Sequence, residues 1–135
     1  MSTDDIARMR EISRHLIDPT IAVDIFENLP DAIIVVDDKG EIQFVNRQAE
    51  LLFGYHRRDL HDRPIEILIP QDAKERHVQH RTTFMAAPRT RPMSPEVIFK
   101  ALRQNGTEFT AEINLSPIVA SSRGVLILAV IRKRE

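Results

Sequence analysis

The stretch AIIVVDDKGEIQFV, residues 32–45, decides the fold. It opens with five apolar, mostly β-branched residues, passes through Asp37-Asp38-Lys39-Gly40, and becomes apolar again at Ile42. Strand formers on both sides of a short acidic and glycine-containing turn predict a β-hairpin. The first of these strands is apolar at nearly every position, not at every second one. Both of its faces must therefore be covered.

Composition limits the classes of function. The chain has 135 residues, enough for one hydrophobic core, and its net charge of −1 gives no reason to expect nucleic acid or an anionic membrane as a partner. It contains no cysteine, which excludes disulfides, thiolate metal sites and cysteine nucleophiles. Residues 1–14 mix charges with single apolar residues and do not form a signal peptide. We expect a cytoplasmic protein.

Local patterns predict the remaining elements. The apolar residues Ile6, Met9, Ile12 and Leu16 recur at helical spacing in a first helix, and Asp18-Pro19 opens a second one. Asn-Gly at 105–106 lies between two strand-like runs and predicts another hairpin. The other predicted elements are a helix over 46–53, short helical turns over 57–60 and 64–68, a longer helix over 71–87, and strands over 96–103, 108–118 and 125–131.

These elements predict an α+β fold. Its five strands form an antiparallel sheet, with the central helices on one face and the N-terminal amphipathic helix on the other. Residues 125–131, like 33–36, are apolar at almost every position, so the second face needs a cover. The first helix, or the same surface of a second copy, would supply it. We therefore expect a homodimer formed through the N-terminal helix and the outer face of the sheet.

The order of several motifs resembles that of a PAS domain, the sensory module of bacterial signalling proteins. The resemblance spans Phe26 to Lys133 and rests on five stretches. These are FENLPDAI (26–33), DKGEI with the following VN (38–46), LLFGY (51–55), PIEILIP (64–70) and LRQNGTEF leading into EINLSP (102–117).

The resemblance implies a module without enzymatic activity of its own. Its helical side would enclose a pocket for a small ligand or cofactor, and an output domain such as a histidine kinase would follow. The chain would then divide into an N-terminal helical and dimerisation segment, 1–25, a PAS domain, 26–133, and the start of a linker or tail, 134–135. A ligand-free module that only dimerises or docks a partner is the alternative.

His77 and His80 lie three residues apart in the predicted long helix and, with Phe84, share one face. Ile69-Pro70 followed by Arg76-His77 is similar to the haem-histidine region of rhizobial oxygen-sensing PAS kinases, which makes His77 the candidate axial ligand of haem iron. Two departures stand against haem: Val78 replaces an acid, and Val97 replaces an arginine. The alternative is a pair of polar histidines on a half-exposed helix.

The candidate pocket includes further residues. An apolar wall of Ile113, Leu115, Leu126 and Leu128 would hold a porphyrin, while Asn46 either bonds a ligand or caps a helix. A cysteinyl adduct with flavin, as in light-sensing members of the family, is excluded because the chain has no cysteine. A metal site of two histidines is disfavoured because no third ligand shows at suitable spacing.

Overall fold

The computed structural model describes residues 2–16, 18–86, 99–120 and 124–134. The α-helices are α1 (Thr3–Leu16), α2 (Pro19–Glu27), α3 (Arg47–Phe53) and α4 (Lys74–Ala86). The strands are β1 (Ala32–Val36), β2 (Ile42–Val45), β3 (Phe99–Leu102), β4 (Glu108–Ala120) and β5 (Gly124–Lys133). Short 3₁₀ helices occupy Arg57–Asp59, Ile65–Leu68 and Gln71–Ala73.

The five strands form one antiparallel sheet in the order β2-β1-β5-β4-β3. Each predicted hairpin is present: β1 pairs with β2, and β3 pairs with β4 across the Asn105-Gly106 turn. β4 runs to Ala120, two residues beyond its predicted end, because its pairing with β5 continues as far as Gly124. The predicted α+β fold is confirmed. The predicted start of β3 at Glu96 lies outside the described residues.

The inner face of the sheet, which carries the core, is covered by α3, α4 and the 3₁₀ helices. Ile34 of β1 stands opposite Ala129 of β5, and both are buried. The Phe53 and Phe109 rings pack at a centroid distance of 5.4 Å, which joins α3 to β4. Leu60 and Leu68 extend this core from the connecting segments.

The outer face of the sheet is covered less completely. The described side chains of α1, residues 3–11, are exposed, and these include Ile6 and Met9 of the predicted apolar stripe. Within one chain these residues do not shield the outer face, contrary to the prediction for this half of the stripe. The side chains of Ile12 and Leu16, its other half, lie outside the described part of the chain. Phe26 of α2 instead contacts Phe44 of β2 edge-on, with ring centroids 4.3 Å apart. Phe44 is on the outer face because it pairs with Val35, whose neighbour Ile34 points into the core.

Asn46 joins α2, β1 and α3. Its side chain is fully buried, and its Oδ1 accepts the backbone N–H of Ile33 at 2.9 Å and of Ala49 at 3.0 Å. Its Nδ2 donates to the carbonyls of Phe26 at 3.2 Å and Asp31 at 3.0 Å. The bond to Ala49 thus caps α3 and the bond to Phe26 holds the end of α2, while the other two bonds fix the start of β1 through Asp31 and Ile33. Asn46 is a structural cap, as one of the two alternatives predicted.

We expect Asn46→Ala to lower the free energy of unfolding by about 3 kcal/mol, because it removes the α3 cap and leaves buried backbone groups without partners. Urea unfolding followed by circular dichroism measures the change. Asn28→Ala is the matched control: Asn28 is exposed and bonds only within the last turn of α2, so its loss should cost much less. Equal losses in the two variants would contradict the role given to Asn46.

Candidate functional site

One side of α4 faces the core. His77, Arg81, Phe84 and Met85 are half-buried and recur at three- and four-residue spacing, whereas His80 is exposed. Phe84 and Met85 pack against the buried core. His77 and His80 were predicted to share a face, but a separation of three residues leaves them about 60° apart around the helix. That angle is enough to leave His80 in solvent, so of the two histidines only His77 belongs to the half-buried stripe.

The His77 ring is held by the carboxylate of Glu66, which lies in the 3₁₀ helix Ile65–Leu68. The His77 Nδ1 atom is 2.8 Å from Glu66 Oε2. Arg81, one turn further along α4, donates from Nε to the same Oε2 at 3.1 Å and from Nη2 to Oε1 at 3.2 Å. Glu66 is only 8% exposed. A buried carboxylate needs such charged and hydrogen-bonded partners to offset the loss of its hydration.

Arg81 also ties α4 to the β1–β2 turn. Its Nη1 donates to the carbonyl of Lys39 at 2.9 Å. The next residue, Gly40, has φ +80°, and a Cβ placed there would overlap the Arg81 guanidinium. Glycine is thus required at this position by both its backbone conformation and the close approach of Arg81. The hairpin turn, the 3₁₀ helix and α4 meet at this arginine.

Burial lowers the pKa of His77 below its ordinary value, although the hydrogen bond and the charge of Glu66 act in the opposite direction. The charges of Arg81 and His80 add to the lowering. The ring is therefore neutral at pH 7. Because a carboxylate can only accept, the proton of the neutral ring is on Nδ1, and Nε2 keeps its lone pair. Within the described part of the chain, Nε2 has no hydrogen-bond partner.

The predicted apolar wall divides between the two faces of the sheet. Ile113 and Leu115 are on the inner face, where Leu115 pairs with Ala129, and they are half-buried against the core. Leu126 and Leu128 are on the outer face, because the residues that alternate with them in β5, including Ile127, point into the core. Leu126 and Leu128 therefore do not line the same space as Ile113 and Leu115. Their inclusion in the wall was wrong.

One further predicted site feature is corrected by the structure, and another lies outside the described residues. All four hydrogen-bonding positions of the Asn46 amide are used by the protein itself, so Asn46 does not present a free group to a ligand. Val97 lies outside the described residues. Among the residues that the structure does describe, no three His, Asp or Glu side chains are grouped as they would be around a metal ion.

Sequence reasoning did not identify Glu66 or Arg81 as part of this site. A signal was present: Glu66 is the single charged residue in the run Ile65–Pro70. An acid within such an apolar run has to be paired once the run is buried. The sequence does not show which cation pairs with it, since Arg76 and Arg81 both lie in the helix that follows.

A second ion network links α2 to α3. The Arg57 guanidinium donates to both carboxylate oxygens of Glu27, at 2.7 and 2.8 Å, and to Glu50 Oε1 at 2.7 Å. The two carboxylates raise the pKa of Arg57, and Arg57 lowers the pKa of Glu50. Bidentate pairs of this kind fix orientation as well as distance. Together with the Asn46 bond to Phe26, they hold the last turn of α2 on the domain.

A family model described as "PAS fold" matches residues 23–134. Similar proteins include an uncharacterized protein of Azorhizobium caulinodans, 35% identical over 69% of this chain and 13% of its own length. The sensor protein FixL of Bradyrhizobium diazoefficiens is 28% identical over 67% of this chain and 18% of its own length. The oxygen sensor protein DosP of Escherichia coli is 28% identical over 78% of this chain and 13% of its own length. The chain thus spans less than a fifth of each of these relatives.

Solved structures with the same fold include the PAS domain of an HTR-like protein from Haloarcula marismortui. It has a TM-score of 0.68 and 22% identity, and the match covers 98% of this chain and all of that one. A PAS domain from a two-component sensor histidine kinase matches with a TM-score of 0.68 and 16% identity, over 85% of this chain and 95% of that one. In the part of the chain that the structure describes, no helix is both long and apolar enough to cross a bilayer.

The lowered pKa of His77 predicts a loss of stability in acid. As the pH falls through 6.5, the unfolded ring takes up a proton that the folded ring resists, so the free energy of unfolding should decrease between pH 7.5 and pH 5.5. His77→Gln should show a smaller decrease. Urea unfolding at the two pH values measures it. His80→Gln should stay closer to the wild type than His77→Gln does, because His80 acts on the His77 ring only through its charge. A His77→Gln decrease as large as that of the wild type would refute the assignment.

Proposed function

This chain belongs to the PAS fold family, and from that membership we propose that it binds a small ligand or cofactor beside α4 and relays its presence, through a dimer, to an output domain. The output domain would be a histidine kinase or a similar enzyme. The observation that carries the proposal is the half-buried His77 on the side of α4 that faces the core, whose Nδ1 is bonded to Glu66 while its Nε2 is without a described partner. Apolar side chains of the inner face, Ile113 and Leu115, are half-buried near the same core.

Haem is the ligand proposed for this site. A neutral imidazole with a free Nε2 is the form of histidine that coordinates iron, and an apolar inner face suits a porphyrin. His77 would hold the iron, with Phe84, Ile113 and Leu115 as apolar neighbours. When bound, haem would supply an iron centre able to take up a diatomic gas or to change oxidation state. The similarity to the oxygen sensor protein DosP supports this choice.

The relay would run through α2. Its last turn is fixed to the domain by Arg57, whereas its apolar residues Ile21, Val23 and Ile25 are exposed in a single chain. The outer face of the sheet adds exposed apolar surface at Phe44 and Ile118. A second copy of the chain would cover both surfaces. A ligand that favours one arrangement of α2 by a few kcal/mol is enough to shift the dimer between two states.

Activity of the whole protein would come from other domains. The chain covers only 6% of a similar probable serine/threonine-protein kinase of Dictyostelium discoideum and 18% of the sensor FixL. In this proposal the chain performs no catalysis, acts in the cytoplasm and contacts neither membrane nor nucleic acid. If the module instead binds no ligand, it serves only to dimerise or to dock a partner.

If the chain binds haem, the purified protein should absorb visible light after incubation with hemin. Protein incubated with hemin and desalted should show a Soret absorbance band and, in native mass spectrometry, one haem per chain. His77→Ala should lose both signals, because the axial ligand is gone. His80→Ala should keep them, since His80 is exposed to solvent. A wild-type protein that stays colourless, with no added mass, would contradict haem binding and favour the ligand-free module.

The dimer proposal predicts that a charge on the exposed face of α2 weakens association. Ile25 is 49% exposed in the single chain, and Ile25→Glu should raise the dimer dissociation constant about tenfold or more, because the carboxylate would lose its hydration in an apolar interface. Sedimentation velocity over a range of concentrations measures this. Leu51→Glu, at a 68% exposed position on α3, should not change association. A monomeric wild type, or equal effects of the two changes, would refute the interface.

A further inference from the structure

We propose that Glu66 is a positioning residue that places the ring proton of His77 on Nδ1 and thereby presents Nε2 as the metal-binding nitrogen. This inference rests on the proposed function for the use of Nε2 as a haem ligand. The position of the ring proton, by contrast, can be measured in the haem-free chain. Glu66 lies outside α4, in the 3₁₀ helix Ile65–Leu68, and touches no proposed ligand. It would act through His77 alone.

Toward the His77 ring, Glu66 can act only as a hydrogen-bond acceptor. A carboxylate has no proton to donate when it is paired with a guanidinium, so the 2.8 Å contact with Nδ1 must be an N–H of the ring donating to Glu66 Oε2. In a neutral imidazole this places the lone pair on Nε2. Without such a partner, either nitrogen could carry the proton, and coordination through Nε2 would first require a shift of the proton to Nδ1.

The carboxylate itself is held firmly. Arg81 occupies both of its oxygens and is in turn fixed by its bond to the Lys39 carbonyl and by its contact with Gly40. Glu66 therefore cannot rotate away from His77 without breaking its two bonds to Arg81, which is itself held by the β1–β2 turn. A rigid acceptor restricts the orientation of the ring as well as its proton.

Histidines that bind metals in other proteins often make this same hydrogen bond to a carboxylate. A carboxylate that accepts the remaining N–H of a ligating histidine fixes the ring and increases its basicity, and removal of such a partner typically weakens metal binding by about 10–100-fold. A more basic ligand favours the oxidised, more highly charged iron. Glu66 would thus tighten haem binding and lower the reduction potential of the iron.

The first test needs no haem. Two-bond ¹⁵N–¹H correlation spectra of the haem-free chain at pH 7.5 report which nitrogen of each histidine ring carries the proton. We expect the Nδ1–H form at His77, and its loss in Glu66→Ala. His80, exposed on the same helix, should give the same signals in both proteins. A wild-type His77 in the Nε2–H form, or doubly protonated, would overturn the proposal without any variant.

The second test uses the haem-loaded protein. Glu66→Ala should bind hemin at least about tenfold more weakly than the wild type and show a higher reduction potential. Glu75→Ala, which removes an exposed glutamate of α4, should change neither. Unchanged affinity and potential in a folded Glu66→Ala protein would overturn the role of Glu66 while leaving haem binding intact. If the wild type binds no hemin, the proposed function fails, and the proton position alone then decides the present inference.

Discussion

The structure depends on two neighbouring strands, β1 and β5, that carry apolar side chains on both faces. Side chains alternate along a strand, so these strands offer one apolar set to the core and another to the opposite side of the sheet. Ile34 and Ala129 belong to the first set, Val35 and Leu128 to the second. Helices of the same chain cover the first set. The second set is covered only in part, and this difference distinguishes the face proposed for the ligand from the face proposed for association.

Two buried polar residues organise the connections among the described segments. Asn46 and Glu66 are the polar side chains buried there, and each uses its hydrogen bonds to join elements that are distant in sequence. Asn46 joins the end of α2 to β1 and α3, while Glu66 joins a 3₁₀ helix to α4. A buried polar group is costly unless all of its bonding capacity is used, so it tolerates few alternative arrangements. These two residues therefore restrict how the helices can be placed on the sheet.

The candidate ligand site and the candidate relay are linked through the same scaffold. The His77 and Glu66 pair borders the core from the α4 side, and Arg57 holds α2 on the other side of the domain. A ligand at His77 would have to act on α2 through the sheet, because no direct bond joins α4 to α2 among the described residues. Packed cores change between discrete arrangements and do not deform continuously, so in the proposed function occupancy of the ligand site would shift the dimer from one arrangement to another.

The sequence by itself determined the antiparallel sheet, its hairpins and the cap at Asn46, because these follow from side-chain period, turn chemistry and local capping. It also singled out His77. Only the tertiary structure decided that Leu126 and Leu128 point outward, since a strand that is apolar at every position has no period from which its inner face can be read. It also decided that Glu66 and Arg81 hold His77, a contact between residues 11 and 15 positions apart that no local rule specifies. Pairings of that kind depend on which segments the folded chain brings together.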